Sequence, residues 1–225
     1  MRVVGGHARS RKLHGPRGSA TRPMADRVKE ALFSILENAL SARRPAGLGP
    51  ASIGDSELWN GVNAADVFAG TGSLGIETLS RGAQHVDFVE IDERARRVIR
   101  ANLESTRLSA RANVLDWSAE QFLAGLDQRF TTYHLLMLDP PYSVSDTVSD
   151  WLHALGRTER VADDGLVAVG HSSRTVFRDR YGKLEVTARK SYGGPALTVY
   201  RNTNASDDSA PHVSQETPMA LRRPQ

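Results

Sequence analysis

Strand-like and helix-like segments alternate along most of this 225-residue chain, and this alternation constrains the fold more than any other feature. Short apolar runs that indicate buried strands lie at 64–68, 86–91, 111–115, 133–139 and 165–170. Helical periodicity occupies the intervals between them, at 73–81, 93–107, 118–126 and 146–156. Strands that alternate with helices form βαβ units, so the sequence predicts an α/β fold with a doubly wound, mostly parallel sheet.

The flanking segments complete the predicted organisation. A helix with apolar residues from Val28 to Ala39 on one face precedes the first strand, and strand-like runs at 184–190 and 197–201 are expected to form a C-terminal antiparallel pair. Residues 41–62 are rich in Pro and Gly and are predicted to be a loop insertion. We predict one domain over 24–202, a basic N-terminal arm at 1–23 and a disordered tail at 203–225.

Four residues after the fourth strand, Asp139-Pro140-Pro141-Tyr142, are the candidate catalytic group. Pro supplies no N–H for a continuing ladder, so the strand stops there and leaves Asp139 at its carboxyl end. Ligands bind at that edge of an open parallel sheet. Taken alone, the same four residues are more typical of a strand-terminating turn with a solvated Asp, and the rest of the chain has to favour the catalytic interpretation.

A glycine-rich turn follows the first predicted strand, within the stretch from Asp66 to Gly75. Gly70 and Gly72 allow a tight turn and close approach of a ligand, and Gly75 allows the helix to pack against the strand. Glu90 ends the next strand and is placed to accept both hydroxyl protons of a ribose, a role for which Asp92 competes. A nucleoside-containing cofactor is therefore expected across the first two strands.

The acids favour S-adenosylmethionine over a dinucleotide. Asp66, just before the glycines, is a poor neighbour for a pyrophosphate and a good one for the methionine ammonium. Asp116, after the third strand, is placed to accept a hydrogen bond from the adenine amino group, although capping of the next helix is an alternative role. The predicted cofactor-binding residues are Asp66, Phe68, Gly70, Gly72, Glu90 and Asp116.

Asp139 and Pro140 suit methyl transfer to an exocyclic amine of a base. Such an amine is a poor nucleophile because its lone pair is delocalised into the ring. If the Asp139 carboxylate and the Pro140 carbonyl each accept one N–H, they aim the lone pair at the methyl group and stabilise the developing positive charge. Pro141 fixes the chain, and the Tyr142 ring offers a stacking surface for a base that is flipped out or unpaired.

Positive charge is concentrated at the N-terminus. Residues 1–44 carry a net charge of +7, against +3 for the whole chain. Because each Lys or Arg set against a phosphate releases a counterion, a polyanionic partner is expected, although a solvated basic terminus is the alternative. The predicted RNA contacts are Arg9, Arg11, Lys12, Arg22 and Arg27.

The composition argues against several kinds of functional site and against a membrane segment. The chain has no cysteine, which excludes disulfides, thiolate metal sites and cysteine nucleophiles, and its seven His are scattered, so no metal is expected. No apolar stretch approaches the ~20 residues of a membrane span, and the first residues are unlike a signal peptide. We expect a cytoplasmic, monomeric protein with no membrane partner.

Five motifs stand out together: Thr21-Arg22-Pro23-x-x-Asp26-Arg27, Asp66-x-Phe68-Ala69-Gly70-x-Gly72, Ser80-Arg81-Gly82-Ala83, Phe88-Val89-Glu90 and Asp139-Pro140-Pro141-Tyr142. In this combination they resemble the RsmD family of bacterial 16S rRNA guanine-N2 methyltransferases. The resemblance spans about residues 1–201. It implies a class I, Rossmann-like methyltransferase fold, S-adenosylmethionine as cofactor, and a guanine amino group in 16S rRNA or the assembling small ribosomal subunit as substrate.

Three other functions remain open at this point. An Asp-Pro-Pro-Tyr group serves any exocyclic amine, so an N-methyltransferase acting on adenine N6 in DNA or RNA is the nearest alternative. A non-catalytic RNA-binding module could retain the same fold. A nicotinamide oxidoreductase is disfavoured by Asp66 and by the lack of an evident proton-transfer residue.

Overall fold

A computed structural model describes residues 1–15, 24–41, 55–125, 132–141, 144 and 147–203. The helices are α1 (Asp26–Ser41), α2 (Asp55–Leu58), α3 (Ser73–Arg81), α4 (Glu93–Thr106), α5 (Ala119–Leu123) and α6 (Val148–Leu155). The strands are β1 (Asn63–Val67), β2 (His85–Val89), β3 (Ala112–Leu115), β4 (Tyr133–Leu138), β5 (Val161–Ser172), β6 (Arg180–Tyr181), β7 (Leu184–Ser191) and β8 (Pro195–Asn202).

Within these residues, eight strands form a single sheet in the order β3-β2-β1-β4-β5-β8-β7-β6. Neighbours from β3 to β5 are parallel, whereas β8 runs antiparallel between β5 and β7. The predicted doubly wound, mostly parallel sheet with a C-terminal antiparallel pair is therefore confirmed. The sequence prediction missed the two-residue strand β6, which is too short to have a periodicity of its own.

The two faces of the sheet carry separate apolar cores. Residues of α1, α3 and α4 pack on one face, and residues of α5 and α6 pack on the other. Along β1, Ala64 belongs to the first core, while Ala65 and Val67 belong to the second. Strands buried on both faces read as continuous apolar runs, which is why β1 and β4 are apolar throughout most of their length.

Residues 1–15, which we term the N-terminal segment, pack against the domain, whereas the sequence predicts a separate arm at 1–23. Its backbone folds back on itself, with Val3 N–H donating to the Arg11 carbonyl at 3.0 Å, and Val3, Ala8 and Leu13 are buried in the first core. Ala8 N–H donates to Ser80 Oγ at 2.9 Å on α3. The basic residues of this segment lie between these small apolar anchors, so charge alone gave an incomplete prediction.

A buried ion pair joins this segment to the helices. Lys29 on α1 and Glu77 on α3 lie 3.5 Å apart with both side chains fully buried. The two carboxylate oxygens of Glu77 accept the N–H groups of Val4 and Gly5 at 2.8 and 2.7 Å, and Arg81 Nε donates to Glu77 at 3.0 Å. Burial lowers the pKa of Lys29, and the charge of Glu77 opposes that shift.

Part of the predicted loop insertion is ordered structure. Residues 55–58 form α2, and Trp59 is fully buried with its ring 5.8 Å from that of Phe33 on α1. The Gly and Pro residues around Trp59 predict only a loop. Packing of the Trp59 ring against α1 is what orders this part of the insertion. Residues 42–54 and 204–225 lie outside the described residues. Thr203, placed in the predicted tail, donates its N–H to the Lys183 carbonyl at 2.9 Å.

Replacement of Glu77 by Ala should strongly destabilise the protein. It leaves the buried Lys29 ammonium without its charge partner and two backbone N–H groups without their acceptor, which predicts a loss of about 3–5 kcal/mol in the free energy of unfolding. Urea titration is the measurement. The matched control is Glu159→Ala, which removes an acid paired with Lys183 on the surface and should cost less than about 1 kcal/mol. A loss below 1 kcal/mol for Glu77→Ala would contradict the interpretation.

Candidate functional site

The carboxyl ends of β1, β2 and β4 form one edge of the sheet. β1 lies between β2 and β4, with Val67 opposite Val89 on one side and Leu138 on the other. Asp139 and Glu90 each follow directly on these strands. The structure therefore brings together the glycine-rich turn, Glu90 and Asp139, which the sequence predicted to share a ligand-binding edge.

The turn after β1 is held in a left-handed backbone conformation at several positions. Gly70 and Gly72 have φ of 54° and 76°, values that glycine adopts without steric cost. Phe68 has φ of 66°, which is strained for a residue with a Cβ. Its ring packs 5.2 Å from that of Trp151 on α6. Packing of this ring holds the unusual backbone that starts the turn.

Gly75 and Asp66 join the start of α3 to the sheet. A Cβ on Gly75 would lie 2.3 Å from Phe88 Cε1, so only glycine allows this approach between α3 and β2. Asp66 is 2% exposed, and its Oδ2 accepts the Gly75 N–H at 2.8 Å. Asp66 thus has a structural bond to the helix in addition to the cofactor role that the sequence predicts.

Glu90 is oriented by two backbone donors. Its Oε2 accepts the Gly70 N–H at 2.8 Å and its Oε1 accepts the Asp92 N–H at 2.9 Å. Asp92, the competing candidate, caps α4 by accepting the N–H groups of Arg94 and Ala95. A carboxylate oxygen can accept more than one hydrogen bond, so both oxygens of Glu90 keep capacity for a diol.

Asp116 faces Arg96 and does not cap α5. Ser118 caps that helix in a capping box with Gln121, so the capping role considered for Asp116 is wrong. The Asp116 carboxylate accepts from Arg96, which also donates to the Glu90 and Ile91 carbonyls. Arg96 was not predicted, because an arginine on an amphipathic helix carries no local signal of such a role. Ile91, whose carbonyl accepts from Arg96, has a side chain that is 66% exposed.

Asp139 is half-buried at the end of β4. A Cβ on Gly170 of the neighbouring strand β5 would lie 2.3 Å from Asp139 Oδ1 and 3.3 Å from Met24 Cε. Gly170 therefore leaves the space that the Asp139 carboxylate occupies, a role that the sequence did not indicate. Pro140 is buried and Pro141 is exposed. Tyr142 lies outside the described residues.

Burial is the main cause of the raised pKa values of Asp66 and Asp139. It raises the pKa of Asp139 to about 6. It also raises the pKa of Asp66 well above its usual range, with smaller contributions in the same direction from the charges of Asp139 and Glu90, while the hydrogen bond from Gly75 opposes the shift. Two carboxyl groups at one sheet edge are thus both held in an environment that favours their neutral forms.

The predicted RNA contacts lie mostly on the surface. Arg9, Arg11, Lys12 and Arg27 are exposed, and Arg22 lies outside the described residues. Arg11 donates to the Ser105 carbonyl on α4 at 2.9 Å. The N-terminal segment comes close to the glycine-rich turn at His14. There Asn102 on α4 donates to the carbonyls of both His14 and Thr71 at 3.0 Å. Asn102 is fully buried and was not predicted.

Among the described residues, no helix has the length and apolar character needed to span a membrane. No group of three or more His, Asp or Glu side chains among them is arranged to hold a metal ion.

Comparison with known proteins adds relatives along nearly the whole chain. A family model described as conserved hypothetical protein 95 matches residues 1–201. A Bacillus subtilis protein named "Putative rRNA methyltransferase YlbH" is 30% identical over 201 residues, which cover 89% of this chain and 98% of that protein. Ribosomal RNA small subunit methyltransferase D of Escherichia coli K12 is 30% identical over 169 residues, covering 75% of this chain and 73% of the relative.

Solved structures share the fold. An Escherichia coli structure titled "Putative methyltransferase yhhF" superposes with a TM-score of 0.69 at 27% identity, covering 90% of this chain and 98% of the other. An RNA methyltransferase from Salinibacter ruber, solved with S-adenosylhomocysteine, has a TM-score of 0.54 at 13% identity and covers 84% of this chain and 98% of the other. Because the Salinibacter ruber protein is only 13% identical, its similarity to this chain concerns the fold alone.

The sheet order, the glycine-rich turn and the acids at its edge define a class I, Rossmann-like methyltransferase. The family match and the relatives then place the chain more narrowly. It belongs to the RsmD family.

The raised pKa of Asp139 predicts a pH dependence of stability. Its folded-state value of about 6 lies above the value of 3.8 for an unperturbed aspartate, so ionisation is costlier in the folded state. The free energy of unfolding should therefore lose up to about 3 kcal/mol from this group as pH rises from 4 to 8, at 1.4 kcal/mol per pKa unit.

Asp139→Asn removes this dependence. The variant should match the wild-type protein near pH 4 and be more stable than it near pH 8, as measured by urea unfolding across the pH range. Asp164→Asn, an equal change of formal charge at an exposed position, should shift stability by less than about 0.5 kcal/mol. Parallel curves for Asp139→Asn and the wild type would rule out a costly ionisation at this site.

Proposed function

We propose that this protein transfers a methyl group from S-adenosylmethionine to the exocyclic N2 amine of a guanine in 16S rRNA. The observation that carries the proposal is the position of Asp139. Its carboxylate lies at the sheet edge that also presents the turn of Gly70 and Gly72 and the oriented carboxylate of Glu90. An acceptor for an amine and a cradle for a nucleoside are thus on neighbouring strands.

The cofactor would lie across the carboxyl ends of β1 and β2. Glu90, held by two backbone donors, would accept the ribose hydroxyls. Asp116 would accept from the adenine amino group, and the exposed Ile91 side chain would cover one face of the ring. The relatives support this donor, since neighbours of the same fold are methyltransferases and one was solved with the demethylated cofactor.

Asp66 and Phe68 would complete the cofactor site. A methionine ammonium near Asp66 would stabilise the carboxylate and offset the burial that raises its pKa. Phe68 would contribute chiefly through its left-handed backbone, which directs the chain into the turn. Gly70 would leave room for the cofactor, because a Cβ there would have no side chain within 4 Å. A Cβ on Gly72 would lie 3.2 Å from Phe88 Cε1, so Gly72 would contribute through its left-handed backbone and its packing on the core.

Asp139 would act on the amine directly. S-adenosylmethionine supplies an electrophilic methyl group on a sulfonium. The Asp139 carboxylate and the Pro140 carbonyl would each accept one N–H of the guanine amine, which aims the nitrogen lone pair and stabilises the positive charge that develops there. The amine would gain the methyl group as the sulfonium loses it, and the Asp139 carboxylate would accept the proton that the nitrogen releases. Tyr142 would stack on the base and Pro141 would fix the Pro140 carbonyl.

Two observations support the proposed RNA substrate: the names of the relatives and the exposed positive charge near the N-terminus. The names of the relatives state rRNA and the small ribosomal subunit. The exposed basic residues Arg9, Arg11, Lys12 and Arg27 would contact phosphates. Arg22, which lies outside the described residues, is proposed for the same role. We propose 16S rRNA or the assembling small subunit as the partner of a monomeric cytoplasmic enzyme.

The decisive test uses small-subunit particles from a strain that lacks this protein. Labelled methyl groups from S-adenosylmethionine should enter the rRNA, and nucleoside analysis should give N2-methylguanosine. Recovery of N6-methyladenosine would replace the guanine assignment with adenine. Cofactor binding without any transfer to particles or to rRNA would favour a non-catalytic RNA-binding module.

Asp139→Ala should reduce kcat at least 10³-fold while the Kd for S-adenosylmethionine stays within a few-fold. The variant loses the acceptor that aims the amine but keeps the groups proposed for the cofactor. Single-turnover transfer and calorimetric titration measure the two quantities. The wild-type rate should fall with decreasing pH below about 6, because the carboxylate must be ionised to accept the N–H. Turnover close to wild type in Asp139→Ala would remove Asp139 from the catalytic group.

Replacement of Arg9, Arg11 and Lys12 by Ala should weaken rRNA binding and flatten its salt dependence. Loss of three phosphate contacts should reduce the slope of log K against log salt by about 2–3. The matched control exchanges Arg and Lys at the same positions and keeps the charge, so its slope should equal that of the wild type. An unchanged slope in the Ala variant would mean that this surface does not contact the RNA backbone.

A further inference from the structure

The loop after β5 rises above the candidate catalytic edge. β5 runs parallel to β4, with Val169 opposite Leu138, and continues through Gly170 and His171 to Ser172. Three further residues of strand extend about 10 Å at 3.3 Å per residue. Residues 173–178, which we term the rim loop, therefore begin beyond Asp139 at the edge of the sheet where β4 and β5 both have their carboxyl ends.

The rim loop is fixed by hydrogen bonds on its first half. Thr175 N–H donates to the Ser172 carbonyl at 2.9 Å and closes a turn. Ser173 donates its N–H to the Gly194 carbonyl at 2.8 Å and its hydroxyl to the Gly193 carbonyl at 2.9 Å. These bonds tie the rim loop to the turn between β7 and β8.

The second half is anchored by packing. Phe177 is buried in the second core, and its ring makes an edge contact with His171 at 4.8 Å between centroids. Arg189 on β7 donates to the carbonyls of Phe177 and Arg178 at 2.8 and 3.0 Å. The rim loop therefore presents its outer side chains from a defined backbone.

Val176 lies in this fixed loop and is 91% exposed. Among the described residues, the other exposed large apolar side chain is that of Ile91, which is 66% exposed and belongs to the proposed cofactor site. The apolar neighbour Phe177 turns into the core, so Val176 is not the edge of an internal cluster. An apolar side chain on a rigid support can fill a gap between stacked bases, as wedge residues of nucleic-acid-binding proteins do.

The charges around Val176 match a nucleic acid. Arg174, Arg178 and Lys190 are exposed and make no ion pair with any described residue. The acids nearby are already paired, Asp179 with Arg189 and Glu185 with Arg180. The rim loop thus combines one apolar tip with unpaired positive charge, which fits a phosphate backbone better than an apolar protein surface.

We propose that the rim loop is a second RNA-binding surface and that Val176 enters the base stack at the position vacated by the target guanine. This inference rests on the proposed function, because a base must leave its stack to bring its amine to Asp139. Arg174 and Arg178 contact flanking phosphates. The RNA is then held from both the N-terminal segment and the rim loop, with the catalytic edge between them.

The test is single-turnover methyl transfer to small-subunit particles from a strain that lacks this protein. Val176→Ser should lower the transfer rate at saturating particle about tenfold, while the KM for S-adenosylmethionine stays within twofold. Val176→Leu keeps an apolar wedge and should stay within threefold of wild type. A rate for Val176→Ser within twofold of wild type, or an effect on the KM for the particle alone, would overturn the wedge role.

The charged part of the surface has its own measurement. Arg174→Ala with Arg178→Ala should reduce the salt slope of particle binding by about 1.5, since each lost phosphate contact contributes 0.7–0.9. Arg157→Ala, an exposed arginine between α6 and β5 at the opposite edge of the sheet, should leave the slope unchanged. An unchanged slope in the double variant would overturn the RNA surface. Failure of the wild-type protein to methylate guanine would instead overturn the proposed function.

Discussion

The carboxylate of Glu77 is the interaction on which the arrangement of this domain depends. It is fully buried, and it accepts the N–H groups of Val4 and Gly5 while pairing with Lys29 and Arg81. Removing such a charge from water costs several kcal/mol, which these donors offset only together. The N-terminal segment, α1 and α3 are therefore held as one unit. Because α3 begins at the glycine-rich turn, fixing this helix also fixes the turn.

The same turn is reached from the other side by Asn102 on α4. Its amide donates to the carbonyls of His14 and Thr71, and its oxygen accepts the His14 N–H at 2.8 Å. The basic N-terminal segment and the turn thus share one buried side chain. A displacement of either would leave a buried amide group without its partner, at a cost of about 1–3 kcal/mol. If the proposed function is correct, this connection couples the position of the RNA-contacting N-terminal segment to that of the cofactor-binding turn.

The sequence predicted the elements whose signals are local, and failed where a distant contact decides. Helix α3 and the start of β4 fall where periodicity placed them, because buried strands and amphipathic helices leave repeats of fixed length. The packed N-terminal segment and Trp59 were missed, since their burial depends on α1 and α3. In the site, glycines and strand-end acids are readable from spacing. Arg96 and Gly170 are not, because each acts on a residue far away in the chain.

Burial of Asp139 has opposite effects on stability and on the proposed chemistry. In water a carboxylate is well solvated and gains little from accepting an amine N–H. At the end of β4, where burial raises its pKa to about 6, the ionised group lacks part of that solvation and gains more from the same bond. The free energy lost when the protein folds around this acid is thus recovered when an amine with developing positive charge approaches. Gly170 sustains the arrangement, because any larger residue would occupy the space of the carboxylate.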